Sequence, residues 1–269
     1  MVTARDWLIL IAMRIRSDLG LAALSLALPC MAVLASVQAG NGLPQGFVYL
    51  RDVDPSIAQD MRYAGPDNFM GRAAPGYEAG ECVLADQAAQ ALKRVQRALK
   101  PQGLSLKVYD CYRPARAVRA FVDWARSPAP NPDPGKAAYY PQVTKPELLA
   151  QEYIAAPSGH SLGLAVDLTI IRAGEAASAP AAEPGVAGRC TAPDNSVDMG
   201  TGFDCFDALS HTANPEIGDA QHRWRTILVE AMAAQGFQNY PKEWWHFSLS
   251  LPGYDTHRDF PVLPRPDGE

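Results

Sequence analysis

The sequence predicts an α+β fold, a single domain whose central, mostly antiparallel sheet is flanked by helices. Two stretches, residues 84–100 and 221–235, carry apolar side chains at helical spacing. Two others, 104–109 and 164–171, read as strands, the second apolar enough to be buried. Helices and strands follow one another without the regular alternation that builds a parallel sheet. With 48% hydrophobic and 20% charged residues in a chain of 269, the composition is that of an ordinary globular protein.

Residues 1–39 stand apart from this pattern. Arg14 and Arg16 form a positive start, residues 19–37 are apolar, and Val37-Gln38-Ala39 offers small side chains at a cleavage point. This predicts a secretory signal peptide cut after Ala39, with Met13 an alternative start and residues 40–269 the folded domain. A retained membrane anchor is the competing reading. The small-residue exit weighs against it, so no stable anchor is expected after cleavage. Lipidation at Cys30 is disfavoured because Pro29 precedes it. The mature protein is thus expected outside the cytoplasm, in the periplasm.

Within the mature part, Phe47-Val48-Tyr49-Leu50 reads as a short strand. Residues 62–80, rich in Gly, Pro and aromatics, read as loop. In the helix 84–100 the apolar positions are Leu84, Ala88, Ala91, Leu92, Val95, Ala98 and Leu99, and Pro101-Gln102-Gly103 stops it. A second helix covers 115–126, just after Pro114. Six prolines make 127–146 irregular. Residues 172–196, rich in Ala, Gly and Pro, are expected to form a surface insertion. Gly236 closes the helix 221–235, and 244–251 reads as the last strand.

Charge and cysteine content narrow the function classes. The net charge is −5, the pI about 5.6, and no run of five basic residues occurs. Nucleic-acid binding needs a basic footprint and is not expected. Without the leader, four cysteines remain: Cys82, Cys111, Cys190 and Cys205. An even number in an exported chain predicts disulfides. Three pairings are open; Cys190–Cys205 would close a short loop and leave Cys82–Cys111. A four-cysteine zinc site is not expected, because no Cys-x-x-Cys spacing occurs.

Two segments carry the chemistry. One is Ser158-Gly159-His160-Ser161-Leu162-Gly163-Leu164-Ala165-Val166-Asp167; the other is Glu243-Trp244-Trp245-His246. Together they supply two imidazoles and a carboxylate for a metal, and a second carboxylate able to act as a base. Three protein ligands with one open position is the pattern of a catalytic zinc. One zinc per chain is therefore expected at the sheet, held by His160, Asp167 and His246, with Glu243 as general base. The spacing of His160 and Asp167 does not fit one helix face. It fits a loop that delivers His160, turns at Gly163 and enters a strand bearing Asp167, with His246 on a neighbouring strand. Among the other histidines, His222 and His257 lack such surroundings, and His211 is the best candidate for a supporting role. Trp244 and Trp245, on alternating strand positions, are expected to face opposite ways, so both cannot line the site equally.

The pattern Ser-x-His-x-x-Gly-x-Ala-x-Asp followed by Glu-Trp-Trp-His resembles the zinc peptidases acting on D-amino-acid peptides, and among them the VanX-type D-alanyl-D-alanine dipeptidases. The resemblance spans nearly the whole mature chain. It includes Met61-Arg62-Tyr63-Ala64, Tyr109-Asp110-Cys111-Tyr112-Arg113-Pro114, Asp198-Met199-Gly200 and Phe203-Asp204. It implies the same three zinc ligands and Glu243 as catalytic base. It also implies Arg113 as the cation of the transition state, Ser158 and Asp204 as partners of the dipeptide's free amino group, and Tyr63 close to the substrate. The implied substrate is D-alanyl-D-alanine, cleaved to two D-alanines. A D,D-carboxypeptidase or endopeptidase on longer wall peptides is the alternative; a non-catalytic zinc or wall-binding module would have no need of Glu243. Two departures concern loops: the stretch between Ile171 and Asp198 is longer than in the family, and the four cysteines are added.

Overall fold

The computed structural model describes residues 42–175, 190 and 194–266. The expected leader at 1–39 and most of the 172–196 insertion lie outside the described residues.

The architecture is α+β. A five-stranded sheet has the order β2-β4-β5-β7-β6, formed by β2 (Ala58–Gln59), β4 (Leu104–Asp110), β5 (Ala165–Arg172), β7 (His246–Ser248) and β6 (Gln238–Asn239). Only β2 and β4 run parallel; the other pairs are antiparallel. A separate antiparallel pair joins β1 (Phe47–Tyr49) to β3 (Val83–Ala85), and a short helix α1 (Leu50–Val53) follows β1. The two long central strands, β4 and β5, are buried along almost their whole length. That explains why the period-2 alternation read in 104–109 is shallow: a strand covered on both faces has little reason to alternate.

Helices α2 (Asp86–Leu99) and α6 (Asp219–Ala233) pack on each other and on β4 and β5. The apolar stripe Ala88, Ala91, Leu92, Val95 and Leu99 of α2 is buried as its spacing requires. Its start differs from the sequence reading. Leu84 belongs to β3, because pairing with Val48 of β1 satisfies its backbone before the helix begins. Helix α3 (Ala115–Arg126) follows Pro114, which cannot extend a helix backwards. The proline-rich stretch 127–146 gives way to two short helices, α4 (Lys136–Tyr139) and α5 (Lys145–Ala150). The second starts where the Glu147 carboxylate accepts from both the Thr144 backbone N–H and its hydroxyl.

The end of the 172–196 stretch is not a surface feature. Asp194 accepts from Tyr109 (2.5 Å) and from Arg62 and Lys107 (3.2 Å each), and Asn195 accepts from the fully buried Lys107. Two buried cations need such carboxylates, since an unpaired charge inside a protein is heavily penalised. This network pins the insertion's return to the base of β4.

One glycine is dictated by space as well as by backbone. Gly163 has φ +74°, and a Cβ there would lie 2.4 Å from the Phe47 ring. Left-handed strain of about 1–2 kcal/mol and the overpacking of about 1–3 kcal/mol add together. Gly163→Ala is therefore expected to lower stability by about 3 kcal/mol, read as a fall in the urea midpoint; a loss under about 1 kcal/mol would contradict this packing.

Candidate metal centre and its cavity

The centre forms where three strands present one rung. Strand β5 pairs with β7 so that Asp167 lies opposite His246. On its other side the β4 register slips at Tyr109, which places Asp110 opposite Asp167. The slip aims the Asp110 carboxylate at the site. His160 arrives from a short 3-10 turn, Gly159–Leu162, where the His160 N–H donates to the Ser158 hydroxyl (3.3 Å). Gly163 then turns the chain into β5.

Three ligand atoms converge. His160 Nε2 lies 3.1 Å from His246 Nδ1 and 3.3 Å from Asp167 Oδ1, and His246 Nδ1 lies 2.9 Å from the same oxygen. A tetrahedral site with bonds of about 2.0–2.1 Å separates its ligand atoms by about 3.3 Å, so the spacing found here suits one small divalent ion. Among the described residues, His160, Asp167 and His246 form a His/Cys/Asp/Glu group able to hold a metal. The His160 ring is oriented by its other nitrogen: Nδ1–H donates to the Cys111 carbonyl over 2.7 Å, which leaves the Nε2 lone pair free for the ion. Burial lowers the His246 pKa and keeps that ring neutral, as a ligand must be. Burial alone would raise the Asp167 carboxyl, but His160 and His246 hold it below its usual range.

A cavity of about 310 Å³ opens on this centre. Tyr63, Arg113, Ser158, His160, Asp167, Asp204, Glu243 and His246 all line it. The eight residues read from the sequence as ligands, base, transition-state cation and substrate contacts thus reach one space. The size falls at the small end of the roughly 300–1,000 Å³ usual for small-molecule sites.

Arg113 is held on every side. Its Nε donates to Asp110 Oδ2 (2.8 Å), one terminal nitrogen lies 2.7 Å from the same oxygen, and Asp167 Oδ2 is 3.5 Å away. The guanidinium lies against the Tyr63 and Phe121 rings, 5.0 and 4.9 Å from their centroids. Burial works against its charge, but Asp110 and its neighbours keep it cationic. Asp204 is buried and accepts from the Tyr63 hydroxyl at 2.8 Å. Burial, then the nearby Asp167, push the Asp204 carboxyl well above its ordinary value. The same two causes, with Asp204 added, push the Glu243 carboxyl up. Three carboxylates around one small space create a field that a divalent cation or an ammonium would relieve.

Sequence reasoning missed Asp110. It accepts from Tyr77 (2.6 Å) as well as from Arg113, and lies 3.4 Å from His160 Nδ1, so it steadies a cation and a candidate ligand together. Its signal was a charged residue closing an apolar strand three positions before Arg113. Phe121, the second ring against Arg113, carried no signal beyond its place in a helix. His211 does not join the site; its Nε2 meets the Tyr153 hydroxyl at 3.0 Å. The tryptophans divide as expected, although they sit in the turn before β7 rather than on a strand. Trp245 lines the cavity, whereas Trp244 donates to Thr201 Oγ1 inside the core. The structure pairs Cys82 with Cys111 and Cys190 with Cys205.

Residues 44–180 and 189–263 match the family profile Peptidase M15, described as D-ala-D-ala dipeptidase. The chain is 34% identical over 218 residues to the D-alanyl-D-alanine dipeptidase of Enterococcus faecium, covering 81% of this chain and 98% of that protein. It is 35% identical over 219 residues to the protein of that name from Streptomyces coelicolor, covering 80% and 98%. Against the Escherichia coli D-alanyl-D-alanine dipeptidase the identity is 32% over 202 residues, covering 75% and 83%. With the match reaching from β1 to the last residues packed on the core, this chain belongs to the M15 peptidase family of D-ala-D-ala dipeptidases.

Proposed function

We propose that the protein is a zinc-dependent dipeptidase that hydrolyses D-alanyl-D-alanine to two D-alanines in cell-wall peptide turnover. The observation that carries this reading is the convergence of a His-Asp-His centre, a buried carboxylate, a held guanidinium and a second buried carboxylate on one small cavity. A zinc ion held by His160, Asp167 and His246 would supply a Lewis acid and lower the pKa of a water from about 15.7 towards about 7.

The chain's own groups divide the remaining work. Glu243, raised by burial and by Asp167, is a strong enough base to take a proton from the attacking water and return it to the leaving amine. Arg113 offers a fixed cation to the oxyanion that develops on the attacked carbonyl, and its orientation is set in advance by Asp110, Tyr63 and Phe121. Asp204, with Tyr63 donating to it, presents negative charge for the substrate ammonium. The Ser158 oxygen accepts from His160 N and keeps a second lone pair for the same ammonium.

Purified protein incubated with zinc and D-alanyl-D-alanine should release free D-alanine, lose that activity after chelation, and regain it when zinc is returned. No release from the dipeptide, alongside cleavage of a longer muropeptide, would replace the dipeptidase reading with a carboxypeptidase or endopeptidase one. We read residues 1–39 as an export signal and the working compartment as the periplasm, where disulfides persist. Fractionation with N-terminal sequencing should give a mature chain beginning at Gly40; a cytoplasmic, uncut protein would overturn that reading.

A further inference from the structure

The cysteines are the part of this chain that the proposed mechanism leaves unused, and their placement is selective. Cys205 directly follows Asp204, and its partner Cys190 comes from the 172–196 stretch. We infer that the Cys190–Cys205 disulfide is a positioning device for Asp204, and through it for the substrate's amino group. The inference rests on the dipeptidase reading given above.

Asp204 is the residue on its loop that most needs outside support. It is a non-glycine in the left-handed region, with φ +58°, a conformation that L-residues adopt at a cost of about 1–2 kcal/mol. Its side chain is buried beside another carboxylate, Asp167. Both features favour a loop that relaxes outward. The surrounding contacts oppose this. The Gly202 N–H donates to the Cys190 carbonyl (2.9 Å), so Cys190 holds the loop by backbone as well as by sulfur. The Cys205 carbonyl accepts from Ser210 Oγ (2.6 Å), and the Phe206 N–H donates to the Tyr139 carbonyl (2.7 Å). Asp204 is thus clamped on both sides by two half-cystines and their partners, while its carboxylate takes the Tyr63 hydroxyl. The metal ligands sit elsewhere, on β5, β7 and the 3-10 turn, and the other bridge serves them: the Cys111 carbonyl orients His160. Loss of Cys190–Cys205 should therefore weaken ammonium binding and spare the metal.

The test compares the wild-type zinc enzyme with the paired variant Cys190→Ser and Cys205→Ser, using D-alanyl-D-alanine as substrate. KM should rise about tenfold, kcat should change less than threefold, and zinc affinity measured by calorimetry should stay within twofold. In a cycle with Asp204→Asn, the combined variant should show no further rise in KM over Asp204→Asn alone, because both changes remove one interaction. Additive effects, or a parallel loss of zinc affinity, would overturn the inference. A readout independent of substrate separates its failure from failure of the functional reading. Amide exchange at Gly202 and Phe206 should accelerate at least tenfold in the serine pair while β4 and β5 stay protected. Unchanged exchange overturns the clamp even if the dipeptide is cleaved; accelerated exchange in a protein that never cleaves the dipeptide overturns the functional reading instead. The pair Cys190→Ala and Cys205→Ala provides a second route, and if neither pair folds the bridge is a structural staple and the inference fails.

Discussion

Glu243→Gln should lower kcat for D-alanyl-D-alanine by about 10²–10⁴-fold, the usual contribution of a positioned acid–base group, while the protein keeps its bound zinc. The amide has nearly the shape of the carboxylate but cannot accept the water's proton. None of the three metal-facing atoms belongs to Glu243, so metal content, read by atomic absorption, should not change. Retained turnover would remove Glu243 from the role of base. The pH dependence follows with a definite sign. A base works only when ionised, so kcat/KM should rise with pH through the Glu243 pKa. Burial, then Asp167 and Asp204, lift that value above the ordinary 4.5 in the metal-free chain, and a bound dication acts in the opposite direction. The zinc enzyme should therefore show an acid limb in kcat/KM set by Glu243, and that limb should vanish from the residual activity of Glu243→Gln.

The second large effect is expected at Arg113. Arg113→Lys should reduce kcat by about 10²–10³-fold, corresponding to the roughly 2.7–4 kcal/mol typical of one lost oxyanion partner, with KM nearly unchanged. Lysine retains the charge, so Asp110 is not left as an uncompensated buried anion and the protein should fold. It lacks the planar fork that contacts Asp110 at 2.7 and 2.8 Å and the flat surface that lies against Tyr63 and Phe121. The ammonium would be drawn onto Asp110 and away from the cavity. A loss smaller than tenfold would assign Arg113 to holding the loop rather than to the reacting carbonyl.

Helix α3 was legible to its limits because Pro114 blocks extension on one side and the apolar spacing runs out on the other. Residues 84 and 85 were not, since an apolar pair just before a helix fits the helical stripe as well as a strand; only Val48, 36 residues away, decides it. The last strand was read too long. Trp244 and Trp245 are apolar and aromatic as strand residues are, yet they sit in the turn that delivers His246, and the ladder runs only over His246–Ser248. The start of α5 was present in the sequence, as Thr144 followed by Glu147, and was masked by the surrounding prolines.

What the sequence by itself determined is the chemistry: two imidazoles and two carboxylates in an order and spacing that fit a metal peptidase, four cysteines for two bridges and, through the family resemblance, an arginine and a further carboxylate beside them. Spacing suffices there because ligand types and turn glycines are local properties. What only the tertiary structure decided is the alignment of those groups. Asp110, Asp167 and His246 share one rung because β4 slips by a residue at Tyr109 and because β7 enters the sheet beside β5. The partner of Cys205, and with it the clamp on Asp204, was equally undecided until the chain was folded. Register and pairing are set by burial across strands far apart in sequence, where a shift of one residue turns every side chain to the other face. No local pattern records that choice.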